Sequence, residues 1–210
     1  MSTAALTVPL VSPRSRIRKH WAERRRATIA LVILAPFAYL AVDAPVLLAP
    51  GSAGELTARL LAWSLFLVGA VFRFWATLYI GGRKGRMVVC QGPYSITRNP
   101  LYFGTLLMAL AFCVRLESVP LLGGLAMATV VYLCTTIRSE ERRLRSKLGE
   151  PYREYCRRVP RLWPRPSLFR TDGTVELDVA CLAKEFWRAI RWTAVPLSAE
   201  LLMQWRVAGW

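Results

Sequence analysis

The chain has 210 residues, of which 54% are hydrophobic, yet it carries 29 Lys and Arg against 13 Asp and Glu, a formal net charge of +16. Soluble domains rarely combine these values, whereas an integral membrane protein does, because apolar spans supply the hydrophobicity and basic loops supply the charge. Nucleic-acid binding usually needs a basic patch on a soluble domain, but the bases here flank apolar runs. We therefore expect a membrane protein that binds no nucleic acid.

Metal and disulfide chemistry have little support in this sequence. The five cysteines are an odd number without a C-x-x-C pair, so neither a disulfide framework nor a zinc site is predicted. The single histidine, His20, lies in a basic run, which argues against His-based catalysis. We expect no bound metal.

Residues 1–27 form a basic segment ahead of the first apolar run. Its seven bases are Arg14, Arg16, Arg18, Lys19, Arg24, Arg25 and Arg26. A secretory signal places its charge before its apolar core, whereas here the charge follows a short apolar start. We therefore interpret 1–27 as a cytosolic N-terminal segment.

Four apolar runs follow, each close to the roughly 20 residues that a helix needs to cross a bilayer. They cover residues 28–49, 58–80, 100–116 and 119–137. Small residues in the fourth run, including Gly123, Gly124 and Ala128, allow close packing on a neighbouring helix. The predicted fold class is all-α, an integral membrane protein with about four transmembrane helices.

Loop charge predicts the orientation of these spans. Seven bases precede the first run, four lie in residues 81–98 and ten in residues 138–165, whereas the other side holds at most Arg59 and Arg115. The positive-inside rule then places both termini and the central loop in the cytosol. The high alanine and arginine content favours a bacterial inner membrane. An even number of crossings also lets residues 81–98 and 138–165 meet.

Arg73 lies within the second apolar run. A charge inside a membrane is costly unless it is paired or faces a polar cavity, so Arg73 is a candidate for orienting an anionic substrate group. The alternative is that Arg73, about two turns from the cytosolic end, snorkels to lipid headgroups.

The central loop turns into an apolar helix at Asn99 and Pro100. Asn99 is a favourable N-cap, and Pro100 suits the first helical position, where no N–H is needed. Free N–H groups in the first turn suit a carboxylate or phosphate group. We therefore predict an anion-binding helix start at the boundary between cytosol and membrane.

A charged helix, R-S-E-E-R-R-L-R-S-K-L over residues 138–148, continues the fourth run. Glu141 shares a helical stripe with apolar residues, and Glu140 lies at its margin. An acid that faces inward needs a partner, which favours a functional role over a solvated i,i+4 pair with Arg145. Arg138 lies off the stripe, and a plain surface charge explains it equally well.

Three motifs in this order carry a resemblance to a known family. They are G-P-Y-S-I-T-R-N-P-L-Y-F-G at residues 92–104, R-S-E-E-R-R-L at 138–144, and L-G-E-P-Y-R-E-Y with V-P-R-L-W-P at 148–155 and 159–164. Together they resemble the isoprenylcysteine carboxyl methyltransferase and phospholipid methyltransferase superfamily, in its bacterial form. Asn99 stands where the isoprenylcysteine type typically has histidine, which argues against a prenyl-cysteine substrate.

The resemblance implies an integral membrane enzyme that uses S-adenosylmethionine at its cytosolic face. The residues implied in cofactor binding are Tyr94, Arg98, Asn99, Pro100, Tyr102, Gly104, Glu140 and Glu141. Glu141, Arg138 and Arg73 are the catalytic or substrate-orienting candidates. Methyl transfer is an in-line displacement in which positioning supplies much of the catalysis, so it needs no metal.

Residues 171–210 lie beyond the resemblance. Leu182, Phe186 and Ile190 form an apolar face and Lys184, Arg188 and Arg191 a basic one, a pattern typical of an amphipathic helix in the membrane interface. The segment is too charged for a fifth span.

The sequence thus predicts a basic segment at 1–27, a four-span methyltransferase domain at 28–170 and a membrane-surface segment at 171–210. The predicted activity is S-adenosylmethionine-dependent methylation of a lipid or lipophilic small molecule, with the membrane as its other partner. The alternative is a non-catalytic four-span protein, such as a small transporter or a scaffold at anionic lipid.

Overall fold

The computed structural model describes residues 28–29, 31–41, 44–81, 87–172 and 179–208. All regular elements within these ranges are helices, which confirms the all-α part of the predicted fold class for this part of the chain. The predicted basic segment 1–27 and the centre of the glycine-rich loop, residues 82–86, lie outside the described residues.

The helices are named in chain order. They are α1 (Leu31–Ala41), α2 (Ala53–Ile80), α3 (Pro93–Ile96), α4 (Pro100–Arg115), α5 (Val119–Tyr132), α6 (Arg138–Leu148), α7 (Glu150–Arg158), α8 (Val179–Trp192) and α9 (Ala194–Val207). A π-helical turn, Leu133–Ile137, joins α5 to α6, and a short 3-10 helix covers Pro166–Leu168. The helix Val119–Leu148 is therefore continuous over 30 residues.

Only part of the predicted span pattern is visible in these helices. Among the described residues, α2 and the continuous helix Val119–Leu148 are long and apolar enough to cross a bilayer, whereas Leu31–Ala41 and Pro100–Arg115 are apolar but shorter. The first predicted run, 28–49, was too long, because residues 44–49 are not helical.

Close packing of α2 against α4 forms the centre of the bundle. A Cβ added at Gly69 would lie 2.6 Å from the Gly104 carbonyl oxygen, and one added at Gly104 would lie 2.6 Å from the Gly69 carbonyl oxygen. The two backbones therefore touch where both helices lack a side chain, which is the close approach that small residues allow. Gly124 likewise lets the Phe37 ring of α1 approach closely, since a Cβ added at Gly124 would lie 2.8 Å from that ring.

We expect Gly104→Ala to destabilise the bundle, because the added methyl group would meet backbone on α2. Overpacking of this kind costs about 1–3 kcal/mol. Gly123→Ala is the matched control, since its Cβ would lie 3.7 Å from Phe37, an ordinary contact. Thermal unfolding in detergent measures both variants. Equal unfolding temperatures would contradict the close packing of α2 and α4.

The bundle has two ends, which we call the basic end and the far end. Ile80, Pro100 and Arg138 lie at the basic end, and Ala53, Arg115 and Val119 at the far end. Glu117 closes the far end, because its buried carboxylate accepts hydrogen bonds from the N–H groups of Leu47 and Leu48 at 3.1 and 2.8 Å.

The C-terminal helices, predicted to lie at the membrane surface, also pack on the helical bundle. The helices α8 and α9 pack against α2 and α4, and their buried residues include Glu185, Ala199 and Met203. Phe186 and Ile190, on the predicted apolar face, point outward with exposed fractions of 55% and 44%. On the inward face, Glu185 and Glu200 pair with arginines that lie far away in sequence.

Candidate functional site

Two segments distant in sequence lie side by side at the basic end and form a rigid platform. The Arg98 N–H donates to the Pro160 carbonyl at 2.9 Å, and the Arg165 N–H donates to the Ile96 carbonyl at 2.9 Å. Between them, the buried hydroxyl of Thr97 donates to the Leu162 carbonyl at 2.9 Å. The T-R-N-P and V-P-R-L-W-P motifs are therefore parts of one structure.

The predicted cap at Asn99 was half right. Its carbonyl accepts the N–H groups of Tyr102 and Phe103 at 3.1 and 3.0 Å, so the backbone occupies the N-cap position. Its side chain makes no cap hydrogen bond; instead Nδ2 donates to the Arg161 carbonyl at 2.8 Å. Pro100 has no N–H, so the first turn keeps at most the Leu101 amide for an outside anion, fewer donors than we predicted.

Glu141 lies at the centre of a charge cluster. Its carboxylate, buried as predicted, accepts from Arg161 Nε and Nη2 at 3.3 and 3.1 Å. Arg98 Nη1 lies 3.4 Å from it, and Arg145 Nη2 lies 3.5 Å away as the i,i+4 partner. A buried carboxylate needs such partners to remain charged. Glu141 therefore ties α6 to both platform segments.

Glu140 faces the start of α4 from the same turn of α6. The Tyr102 hydroxyl donates to its carboxylate at 3.2 Å. The structure thus brings together the two motifs that sequence analysis placed on the same side of the membrane.

A cleft that is open to solvent lies between α4, α6 and α7. Seven of the eight predicted cofactor-binding residues line it: Tyr94, Arg98, Asn99, Pro100, Tyr102, Glu140 and Glu141. The remaining wall is apolar and aromatic and includes Val88, Leu144, Leu148, Tyr152 and Tyr155.

Two polar atoms of the cleft lack a hydrogen-bond partner among the described residues. They are the hydroxyl of Tyr94 and Nε of Arg98, and both are buried. Burial raises the pKa of Tyr94 above its usual range, and the Glu140 carboxylate adds to the increase while Arg73 opposes it. The phenol therefore stays protonated and keeps a donor that nothing in the described protein uses. Buried donors of this kind usually have a partner.

Two predicted site residues are elsewhere. Gly104 faces Gly69 and Arg73 and serves the α2–α4 crossing rather than the cleft. Arg138 is exposed and lines neither the cleft nor the neighbouring cavity. Its position off the helical stripe explains this: Glu141 on the stripe faces the inside of the bundle, and Arg138 lies on another side of α6.

Arg73 lines a second cavity, apolar and with an empty volume of about 1120 Å³, between α1, α2, α4 and α5. Leu101 and Tyr102 belong to the walls of both this cavity and the cleft. The guanidinium is not free: it pairs with Glu185 of α8 at 2.9 Å and donates to the Thr105 hydroxyl at 2.6 Å. Arg73 is therefore paired inside the bundle and does not snorkel.

Sequence analysis assigned no role to Arg161, Tyr155 or Glu185. Tyr155 donates its hydroxyl to the Tyr94 carbonyl at 2.8 Å and so positions α3 under the cleft. Arg161 lies between two prolines of V-P-R-L-W-P, which restrict its backbone. The signal available in the sequence was this fixed base together with the acidic pair Glu140 and Glu141. An acid at position 185 in a basic and apolar segment was the signal for the partner of Arg73.

Comparison with known proteins identifies a family and two relatives. Residues 57–150 match the family model described as phospholipid methyltransferase. The cobalt-zinc-cadmium resistance protein CzcN of Cupriavidus metallidurans is 35% identical over 154 residues, which cover 73% of this chain and 69% of that protein. The chain belongs to the phospholipid methyltransferase family.

The nickel-cobalt-cadmium resistance protein NccN of Alcaligenes xylosoxydans xylosoxydans is a second relative, 32% identical over 159 residues, which cover 76% of this chain and 73% of that protein. No solved structure shows a significant match. The family match contains α2, α4, α5 and α6 and ends at residue 150, before Arg161 and before both C-terminal helices.

Proposed function

We propose that the protein is a membrane methyltransferase that uses S-adenosylmethionine and acts on a lipid or lipophilic acceptor. The observation that carries this proposal is that Leu101 and Tyr102 line both a polar cleft at the basic end and a large apolar cavity that is open to the outside between the helices. A polar cofactor and an apolar acceptor could meet at these two residues, and family membership supports the reaction class.

The chemistry of the cleft fits the cofactor. Arg98 has an unused buried donor for the carboxylate of S-adenosylmethionine, and Tyr94 has one for another polar atom. Glu140 supplies a carboxylate for hydroxyl or ammonium groups. Leu144, Leu148 and Tyr152 provide an apolar and aromatic surface for the adenine ring. We assign Glu141 to holding Arg98 and Arg161 in place rather than to direct contact, because its carboxylate is already surrounded.

When bound, S-adenosylmethionine would supply an electrophilic methyl group with a neutral thioether as its leaving group. The chain's own residues would provide position: Arg98 and Glu140 would hold two polar parts of the cofactor, and Tyr102, which lines both the cleft and the apolar cavity, would lie beside the point where cofactor and acceptor meet. Orientation of two reactants in this way can supply a large part of the rate enhancement.

The apolar cavity is the acceptor site in this proposal. Its lining comes from four helices and is apolar except near Arg73 and Thr105. We propose that acceptors enter from the bilayer, that α1 and α4 complete a four-span membrane domain with α2 and the Val119–Leu148 helix, and that the basic end faces the cytosol of a bacterial inner membrane. The paired state of Arg73 makes it a wall residue that positions Leu101 and Thr105, rather than a free binder of anions.

We expect Tyr94→Phe to reduce cofactor binding without loss of stability. The variant removes a buried hydroxyl that has no partner, so the unfolding temperature should be equal or higher. Tyr155→Phe is the matched control: it loses a hydrogen bond to the Tyr94 carbonyl, worth about 0.5–1.5 kcal/mol, and should lower the unfolding temperature. A Tyr94→Phe variant that binds S-adenosylmethionine like wild type would contradict the proposed role of the phenol.

The activity itself is tested by transfer of a radioactive methyl group from S-adenosylmethionine to the lipid extract of membranes that contain the protein. We expect a labelled lipid in membranes with wild-type protein and clearly less label with Glu140→Gln. Comparison of the extracts by mass identifies the product from its added methylene mass. No labelled lipid with wild-type protein in its native membrane would contradict the proposal.

The relatives' names raise the question whether this chain contributes to metal tolerance. We propose that any part it plays in tolerance to cobalt, zinc, cadmium or nickel depends on methyl transfer. Cells that express wild-type protein or Glu140→Gln would then differ in growth at raised metal concentration. Equal protection by both would favour the alternative, a non-catalytic membrane protein.

A further inference from the structure

The helices α8 and α9 run along the length of α2 from the basic end to the far end. Near the basic end, Glu185 of α8 pairs with Arg73 of α2 at 2.9 Å. Near the far end, Glu200 of α9 pairs with Arg115 at 2.6 Å and accepts from Trp63 Nε1 at 3.3 Å. The two acids are 15 positions apart in sequence, about 22 Å at ~1.5 Å per residue.

The end of α9 reaches the loops at the far end. Arg206 donates to the Leu116 carbonyl at 2.6 Å and to the Ala44 carbonyl at 2.5 Å. From Glu185 to Arg206 the helical path is about 31 Å at the same rise, close to the ~30 Å hydrocarbon thickness of a bilayer. The pair is therefore long enough to cross.

The outer face of this pair is apolar along α9, whereas on α8, toward the basic end, it also carries the exposed Lys184, Arg188 and Arg191; the acids Glu185 and Glu200 face inward. Phe186, Trp187, Leu197, Leu201 and Trp205 are exposed, with exposed fractions from 50% to 67%. A helix packed on a protein in water shows the opposite arrangement. The exposed face continues the apolar exterior of α2, which includes Leu60, Leu67 and Val71. Acyl chains are the occupant that suits such a surface.

The inner acids neutralise Arg73 and Arg115 within the bundle, and Arg115 also lies 3.9 Å from Glu55. Isolated charges inside a membrane are costly, and pairing with an opposite charge reduces that cost. Glu185 is also paired with Arg188 at 3.1 Å, and Arg73 lies 5.8 Å from the centre of the Trp192 ring. At the other end, Arg59 lies 3.8 Å from Glu200.

We infer that α8 and α9 together cross the bilayer beside α2, fastened by Glu185 and Glu200, with their outer face against acyl chains. The C-terminus then lies on the membrane face opposite the cofactor cleft, and not in the cytosol as sequence analysis predicted. This inference does not depend on methyl transfer. It adds a membrane crossing outside the part of the chain that matches the family.

Cysteine accessibility in sealed cells tests this crossing. The five native cysteines, Cys90, Cys113, Cys134, Cys156 and Cys181, are first replaced by serine or alanine. Single cysteines are then introduced as Ala208→Cys after α9 and as Ser167→Cys at the basic end, both at exposed positions. A membrane-impermeant maleimide should label Ala208→Cys in intact cells and Ser167→Cys only after lysis.

Opposite labelling of the two positions, in either sense, supports the crossing. Labelling of both from the same side would overturn it. The fastening role is tested by adding Glu200→Lys to the Ala208→Cys protein, with Glu154→Lys as the matched control at an exposed site. In protein recovered from the membrane fraction, Glu200→Lys should reduce labelling from the far side severalfold, whereas Glu154→Lys should not. Full far-side labelling with Glu200→Lys would overturn the role of Glu200.

Discussion

Glu141→Ala should unfold or severely destabilise the protein and abolish cofactor binding. The variant removes the carboxylate that Arg98 and Arg161 share, so the buried Arg98 guanidinium and the partly exposed Arg161 guanidinium lose their counter-charge. Breaking a buried ion pair by removing one partner costs about 3–5 kcal/mol. The platform formed by residues 96–99 and 160–165 should loosen with it. Thermal unfolding in detergent and equilibrium binding of S-adenosylmethionine measure the two effects.

Two further variants separate the stabilising role of Glu141 from direct binding. Glu140→Gln should weaken cofactor binding by about tenfold or more, equivalent to ~1.4 kcal/mol or more, with little change in unfolding temperature. Glu150→Gln breaks only exposed pairs with Arg153 and Arg157, and should change neither quantity, because exposed ion pairs are worth about 0–1 kcal/mol. A Glu141→Ala protein with wild-type stability would contradict the central charge cluster.

Arg73→Ala should be the second most damaging substitution. It leaves the Glu185 carboxylate, buried between α2 and α8, with only the partly exposed Arg188. The expected loss is again about 3–5 kcal/mol of stability. Arg73→Lys should recover part of it, because an ammonium group keeps the charge but cannot hold Glu185, Thr105 and the Leu101 carbonyl with one planar group.

A double-mutant cycle tests whether Arg73 acts through Glu185. Glu185→Gln in the Arg73→Met background removes the buried charge that Arg73 leaves behind. The double variant should therefore be more stable than Arg73→Met alone, with a coupling energy of about 0.5–3 kcal/mol. Additive effects would show that the two side chains do not depend on each other, which would contradict the packing of α8 on α2.

The apolar helices could be predicted from sequence because their signal is local. The runs at 58–80 and 100–116 correspond to α2 and α4, and the short connection at 115–118 makes α4 and α5 antiparallel. The run at 119–137 continues into α6, as its charged extension indicated. The bounds of the first helix were wrong because apolar residues such as Val46, Leu47 and Leu48 extend the hydropathy signal beyond the end of α1.

Sequence patterns indicated which residues form the site but not which residues each of them contacts. Glu141 was correctly expected to face inward and to need a partner, yet that partner set includes Arg161, which is 20 positions away. Asn99 was assigned to the helix it precedes, while its amide contacts a carbonyl 62 positions later. Local rules describe what a residue can do for its own helix, and tertiary contacts decided both cases.

The C-terminal helices show the same limit more strongly. Their periodicity predicts an amphipathic helix with an apolar outer face but not how its other face packs on the bundle. That depends on Arg73 and Arg115, which attract Glu185 and Glu200 to the inside of the bundle. Acids whose partners are more than 80 positions away have no local signal beyond their own charge.

Equilibrium binding of S-adenosylmethionine to the purified full-length protein in lipid nanodiscs tests the central claim most directly. The cleft between α4, α6 and α7 predicts saturable binding by wild-type protein, binding weakened by Glu140→Gln and by Tyr94→Phe, and unchanged binding with Glu150→Gln. Absence of binding by folded wild-type protein, or equal binding by all four proteins, would contradict the assignment of this cleft to the cofactor.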